Sequence, residues 1–189
     1  MLSGYGVYGS ARSDVRFREP SAMTPATPVA REIIRPRPAP GQPGDFAFLE
    51  GRWAISNRRW REDASVWDEF PGEARCWSIL GGAGSIEELN IPARDFSGLG
   101  LRLLDRTQGV WVDHWVNGKG GVLTLPGMTG GFLDGAGIFE AEELEGASTR
   151  LVRGIWDEIT SIGCRWRQAT SRDAGRTWEE NWVMSWVRA

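Results

Sequence analysis

GLGLRLLDRTQGVWVDHWVNGKGGVLTLPGMTGGFLDGAGIFE, residues Gly98–Glu140, decides the fold. Short apolar runs alternate with turn signals: Asp105-Arg106-Thr107-Gln108-Gly109, Asn117-Gly118, Gly130-Gly131 and Asp134-Gly135. Asn-Gly and Asp-Gly supply the positive φ that tight hairpins require. No stretch of this segment holds a helical period.

The same rhythm extends in both directions, through Pro71-Gly72 and Gly81-Gly82 on one side and toward the C-terminus on the other. Candidate strands fall at about 46–60, 66–70, 74–81, 84–90, 98–104, 110–117, 121–125, 131–141, 149–156, 161–170 and 177–187, a spacing typical of sandwiches and barrels. Crossover helices are missing, which excludes a parallel sheet. A run of sequential antiparallel strands leaves two unpaired edges, and closure removes them. The expectation is an all-β protein: a closed antiparallel barrel of about ten strands spanning residues 45–189. A short helix at Asp45–Glu50 is placed to close its base.

Residues 1–44 read differently. Seven prolines between Pro20 and Pro43, with little periodicity, predict a disordered or extended arm, and Arg35–Pro40 reads as polyproline. Met23 is an alternative start. Such an arm could pack on a neighbouring subunit, so a homodimer is compatible with it. The chain has 22 Lys+Arg against 25 Asp+Glu, and no basic stripe suited to nucleic acid. No apolar run approaches the about 20 residues that span a bilayer, and no secretory leader is evident, so no membrane association and a cytoplasmic location are expected. Cys76 and Cys164 fit no metal or redox spacing and read as buried free thiols.

Three stretches carry a resemblance. Phe48-Leu49-Glu50-Gly51-Arg52-Trp53 opens the first strand. Leu101-Arg102-Leu103-Leu104-Asp105 leads through a turn to Trp111-Val112-Asp113-His114-Trp115, and Asn181-Trp182-Val183-Met184 lies near the end. Together they resemble a bacterial lipocalin-like family of unknown function in the calycin superfamily. The match covers residues 45–189. It implies a barrel with a cavity, in which the Gly-x-Trp tryptophan plugs the closed end and an Arg from the last strand lies across it. Arg188 is the residue available for that part. The family carries no agreed activity, so no catalytic residue transfers.

Ser171-Arg172-Asp173-Ala174-Gly175-Arg176-Thr177-Trp178 fits the Asp-box pattern found in sialidases and related propellers. One copy implies a fixed hairpin between the last two strands, remote from chemistry. Alternation then places Trp178, Glu180, Trp182, Met184 and Trp186 on one side, with Gln168 facing Glu180 from the neighbouring strand. In the 99–115 hairpin both faces are partly apolar. If Leu99, Leu101 and Leu103 join Trp111 and Trp115, Asp113 points inward while Arg102 and His114 point outward. The reverse parity puts Arg102 and His114 in the cavity.

Eleven tryptophans are the compositional anomaly. Each buries roughly 150–250 Å² and asks for a partner for its indole N–H. The leading functional expectation is a binding protein that holds a small hydrophobic or aromatic molecule among Trp77, Trp111, Trp115, Trp166 and Trp182, oriented by Arg102, Gln168 or Asp113. The alternative is a cofactor-independent lyase, isomerase or cyclase in the same cavity, with Glu88, Asp113 or His114 moving the proton. In Glu87-Glu88 one carboxylate meets each face, and an ion pair with Arg102 or Arg75 is the competing role. Glu140, Glu142, Glu143 and Glu145 read as solvated surface. A third reading is an interaction module using the arm. The single histidine gives no zinc set. A haem ligand at His114 is weighed against that and disfavoured, so no cofactor is expected. No nucleophile elbow or phosphate loop occurs.

Overall fold

The computed structural model describes residues 39–146 and 148–189. Ten antiparallel strands close into one barrel: β1 (Gly51–Arg61), β2 (Val66–Ile79), β3 (Gly84–Ile91), β4 (Phe96–Asp105), β5 (Val110–Asn117), β6 (Met128–Leu133), β7 (Ala136–Glu145), β8 (Ser148–Asp157), β9 (Gly163–Ser171) and β10 (Glu179–Arg188). Each strand pairs with its sequence neighbours, and β1 pairs with β10 to complete the ring. The only helical elements described are short 3-10 turns, one of them Ala47–Leu49 beneath the barrel. No described helix is long and apolar enough to cross a membrane.

The strand boundaries differ from the sequence reading in four places, one being Gly130-Gly131, read as a turn but paired with Phe139 and Ile138 inside β6. Pro71-Gly72 does not end a strand, and β2 runs through it. β2 pairs with β1 from Val66 to Cys76 but with β3 only from Glu73. Pro71 therefore lies where one side is unpaired, and its missing N–H is tolerated there. The stretch 121–125 contributes only a single bridge, Val116 to Leu123. The expected strand 131–141 is two strands, turned at Asp134-Gly135, where both residues have positive φ. The arm expected over 1–44 lies outside the described residues up to position 38. Residues 39–44 are tied to the barrel: the N–H groups of Ala39, Gly41 and Gly44 donate to the carbonyls of Phe132, Gly109 and Gly82.

One end of the barrel is plugged by rings. Trp53, Trp111, Trp156, Trp186, Phe46 and Phe139 are almost fully buried. Phe46 meets Trp111 edge-on at 4.9 Å, Trp156 meets Trp186 at 5.3 Å, and Trp53 meets Trp186 at 5.9 Å. Such pairs add about 0.5–1.5 kcal/mol each beyond their burial. The Arg188 guanidinium lies 4.5 Å from the Trp53 ring centre and donates to the carbonyls of Phe48, Glu50 and Ser161. Gly51 makes this possible: its φ is +125°, and a Cβ there would stand 2.9 Å from Arg188 Nη1. The Trp53 indole donates to the Leu49 carbonyl at 2.7 Å, so the 3-10 turn is latched to the plug.

At the other end, the β9–β10 hairpin is locked by Asp173. Its carboxylate accepts the N–H groups of Arg176 and Thr177 and the Thr177 hydroxyl. These bonds, the Thr177 N–H first, hold the carboxyl down at about 2. Trp178 packs outside the barrel, under the Arg153 guanidinium at 3.7 Å.

Candidate functional site

Above the aromatic plug the barrel is hollow. A cavity of about 630 Å³ lies between the plug and the open end. Its wall includes Trp115, Trp156, Trp166 and Trp182, with Leu89, Met128, Val152 and Met184 between them. Glu87, Arg102, Asp113 and Gln168 are its deeper polar groups, and Glu142 and Glu143 stand with Leu144 on the wall formed by β7. Thr124-Leu125-Pro126-Gly127, from the connection between β5 and β6, closes another side.

The polar cluster follows from register. The β4–β5 turn pairs Asp105 with Val110, which brings Arg102 directly opposite Asp113. Directly paired residues share a face, so both point inward. On the other side of β4, Gly100 is paired with Glu87 of β3. The Arg102 guanidinium donates through Nη2 to Glu87 Oε2, and its Nε is 3.4 Å from Asp113 Oδ2. Arg102 and Glu87 are each only 4% exposed. The guanidinium also lies between the rings of Phe46 and Trp156, 5.2 Å from each centre. Burial alone would lower the Arg102 pKa, but Asp113 and Glu87 outweigh it and raise the pKa, keeping the group charged. Asp113 has the opposite balance. Burial pushes its carboxyl above the usual range despite the attraction of Arg102. It is the cluster member most open to the cavity, with 16% of its side chain exposed.

The inward face of β4 is Gly98, Gly100 and Arg102, and the leucines Leu99, Leu101 and Leu103 point outward. This corrects the expectation that the leucines join Trp111 and Trp115. The space is needed by the ring opposite, since a Cβ on Gly98 would fall 2.2 Å from Trp115 Cζ2. Asp113 and Arg102 therefore share the interior, an arrangement neither sequence parity foresaw.

Several candidates lie elsewhere. Glu88 is exposed on the outer face, and its neighbour Glu87 is the one that enters the barrel. His114 is half-buried on the outer face of β5, opposite Leu101, beneath Gly127, and its Nδ1 has no hydrogen-bond partner. Trp77 is also on the outer wall, 38% exposed, beside Arg75. Trp111 belongs to the plug, where its indole donates to Asp45 at 3.0 Å. Arg102, Asp113, Trp115, Trp166, Gln168 and Trp182 do line the cavity.

A bulge between Glu180 and Trp182 overturns the expected Gln168–Glu180 pairing. One extra residue reverses the alternation. Glu180 therefore points out and pairs with Arg167 at 3.1 Å, while Gln168 donates to Asn181 at 3.1 Å. Trp182 donates to Asn57 at 3.1 Å and meets Trp166 edge-on at 5.7 Å. Glu142 and Glu143 are exposed, as expected, and also border the cavity.

Among the described residues no group of three or more His, Cys, Asp or Glu side chains could hold a metal ion. Cys76 and Cys164 are free and buried, and burial raises both thiols, Cys164 to about 12. Neither is a thiolate nucleophile at neutral pH. No protein-family model matches the chain, and no curated protein is significantly similar to it.

Proposed function

We propose that this barrel binds a small hydrophobic or aromatic molecule in its interior. The observation that carries the reading is the cavity of about 630 Å³ with indole walls and a few convergent polar groups at its base. Cavities of about 300–1,000 Å³ with that balance of apolar wall and sparse polar anchors are typical small-molecule sites. Trp115, Trp166 and Trp182 supply the flat apolar contact. Asp113 and Gln168 fix the guest's orientation, while Arg102, itself held by Glu87, holds Asp113 in place. The closed ten-strand barrel and the Arg188–Trp53 plug support membership of the bacterial lipocalin-like family that the sequence resembles.

The raised Asp113 carboxyl favours a second reading, an enzyme without cofactor that moves a proton on the bound guest. A carboxyl that burial pushes above the usual carboxylate range and that faces a cavity is suited to general acid–base work. Of the three proton-shuttle candidates, Asp113 is the one on the cavity wall.

Titration with N-phenyl-1-naphthylamine, a neutral probe that brightens in apolar surroundings, tests binding. The expected result is a saturable 1:1 signal with energy transfer from tryptophan, weakened at least fivefold by Trp166→Ala and unchanged by Trp77→Ala. A signal that does not saturate, or equal effects of the two substitutions, overturns the reading.

A further inference from the structure

The charges around the cavity are unbalanced, and the imbalance selects among guests. Four carboxylates line it, those of Glu87, Asp113, Glu142 and Glu143, against the single guanidinium of Arg102. Arg102 is not on offer. Its Nη2 is held by Glu87, its flat faces meet Phe46 and Trp156, and its Nε and Nη1, though without a hydrogen-bond partner, are sealed from the lumen by burial. Two further guanidiniums stand beside wall residues, one of them exposed and one in ion pairs. Arg59 lies over the Trp182 ring at 4.7 Å, and Arg150 pairs with Glu143 and Glu145 at 3.1 and 2.9 Å. An anionic guest would meet carboxylates on the wall and, at the base, a guanidinium already bound to Glu87. A cationic guest meets the Asp113 carboxylate at the base and indole faces on the wall, which attract cations through their ring quadrupoles.

We propose that the guest is a cation: a protonated amine carried on an aromatic or bulky apolar frame. The ammonium sits against Asp113, and the frame lies among Trp115, Trp166 and Trp182. The inference rests on the cavity being a binding site. Asp113 shares its one guanidinium neighbour, Arg102, with Glu87, and burial pushes its carboxyl upward, so an incoming ammonium adds countercharge where it is short.

Three probes of one shape and different charge separate the possibilities: 2-(2-naphthyl)ethylamine, 2-(2-naphthyl)ethanol and 3-(2-naphthyl)propionate. Each is titrated into the full chain at pH 7 by calorimetry. The expected order is amine at least tenfold tighter than alcohol, with the propionate weakest. In Asp113→Asn the amine's advantage over the alcohol shrinks to within about twofold, while circular dichroism reports an intact fold. The wild-type order decides the charge question even if that variant does not fold. If the alcohol binds as well as the amine, or the propionate binds best, the cationic assignment is overturned and the binding reading stands. If the order holds but survives in folded Asp113→Asn, the ammonium does not sit against Asp113 and the proposal as stated is overturned. If none of the three binds, both fall together.

Discussion

Replacing Arg102 by Met removes the only positive charge from a buried trio. The pair it forms with Glu87 is nearly sealed from water, each residue 4% exposed, and Asp113 lies 3.4 Å away on the other side. Breaking a buried ion pair by removing one partner costs about 3–5 kcal/mol, because the remaining charge is left without compensation. Two ring contacts to the guanidinium, with Phe46 and Trp156, disappear as well, each worth about 0.5–2 kcal/mol where water is excluded. Met partly refills the space, so a loss of about 3–5 kcal/mol is the expected net effect. Equilibrium urea unfolding, followed by tryptophan fluorescence and circular dichroism together, measures it. The double variant Glu87→Gln/Arg102→Met removes both charges and should recover at least half of the loss. A single variant within about 1 kcal/mol of wild type, or a double variant no more stable than the single, would refute the claim that Arg102 and Glu87 form a sealed, mutually dependent pair.

Asp113→Asn should change how stability responds to pH. Burial, reinforced by Glu87 and opposed by Arg102 and His114, raises the folded-state value of Asp113 above 3.8, so its contribution is complete below that pH and is lost as pH rises through the folded value. The variant lacks this loss, so its stability relative to wild type should climb between pH 3.5 and 7 in urea unfolding; a flat or falling difference contradicts the assignment. Asp173 has the opposite sign: its carboxyl is held at about 2, so its contribution is present above the ordinary value of 3.8 and lost as pH falls through 2. Carboxyl NMR should place its midpoint near 2, and a midpoint at or above 3.8 would show the hairpin bonds to be absent in solution. Arg188→Met removes three hydrogen bonds to main-chain carbonyls and the contact with Trp53, and should lower stability by roughly 1–3 kcal/mol in thermal or urea unfolding. Because Arg188 lies at the closed end, the affinity for N-phenyl-1-naphthylamine should stay within twofold of wild type; a larger change would mean that plug and cavity are coupled.

The barrel was legible because its signals are local. Turn dipeptides at regular spacing and the lack of any crossover helix leave few antiparallel architectures, and Gly51-Arg52-Trp53 with a terminal Arg marks which end is plugged. The site was less legible because it depends on parity. In the 98–117 hairpin both faces carry apolar side chains, so alternation alone leaves inside and outside undecided. The four-residue turn settles it by pairing Asp105 with Val110, which turns Arg102 and Asp113 inward together. A signal was present in Gly98 and Gly100. Glycines alternating with leucines opposite a Trp-rich strand mark the crowded face, and that would have pointed to Glu87 in place of Glu88. The bulge at Asn181 carried no such signal, since it inserts a single residue without glycine or proline. Trp77 fits either wall by type alone, and only its register, opposite Ile86 of β3, turns it outward.

A crystal soaked with 2-bromonaphthalene tests the central claim most directly, because bromine is located by its anomalous scattering independently of any fitted ring. The account requires one ordered bromine peak inside the barrel, among Trp115, Trp166 and Trp182 and above the Arg102–Glu87 pair. A lumen filled by repacked side chains, or bromine found only on the outer wall near Trp77 and Leu99, would contradict it.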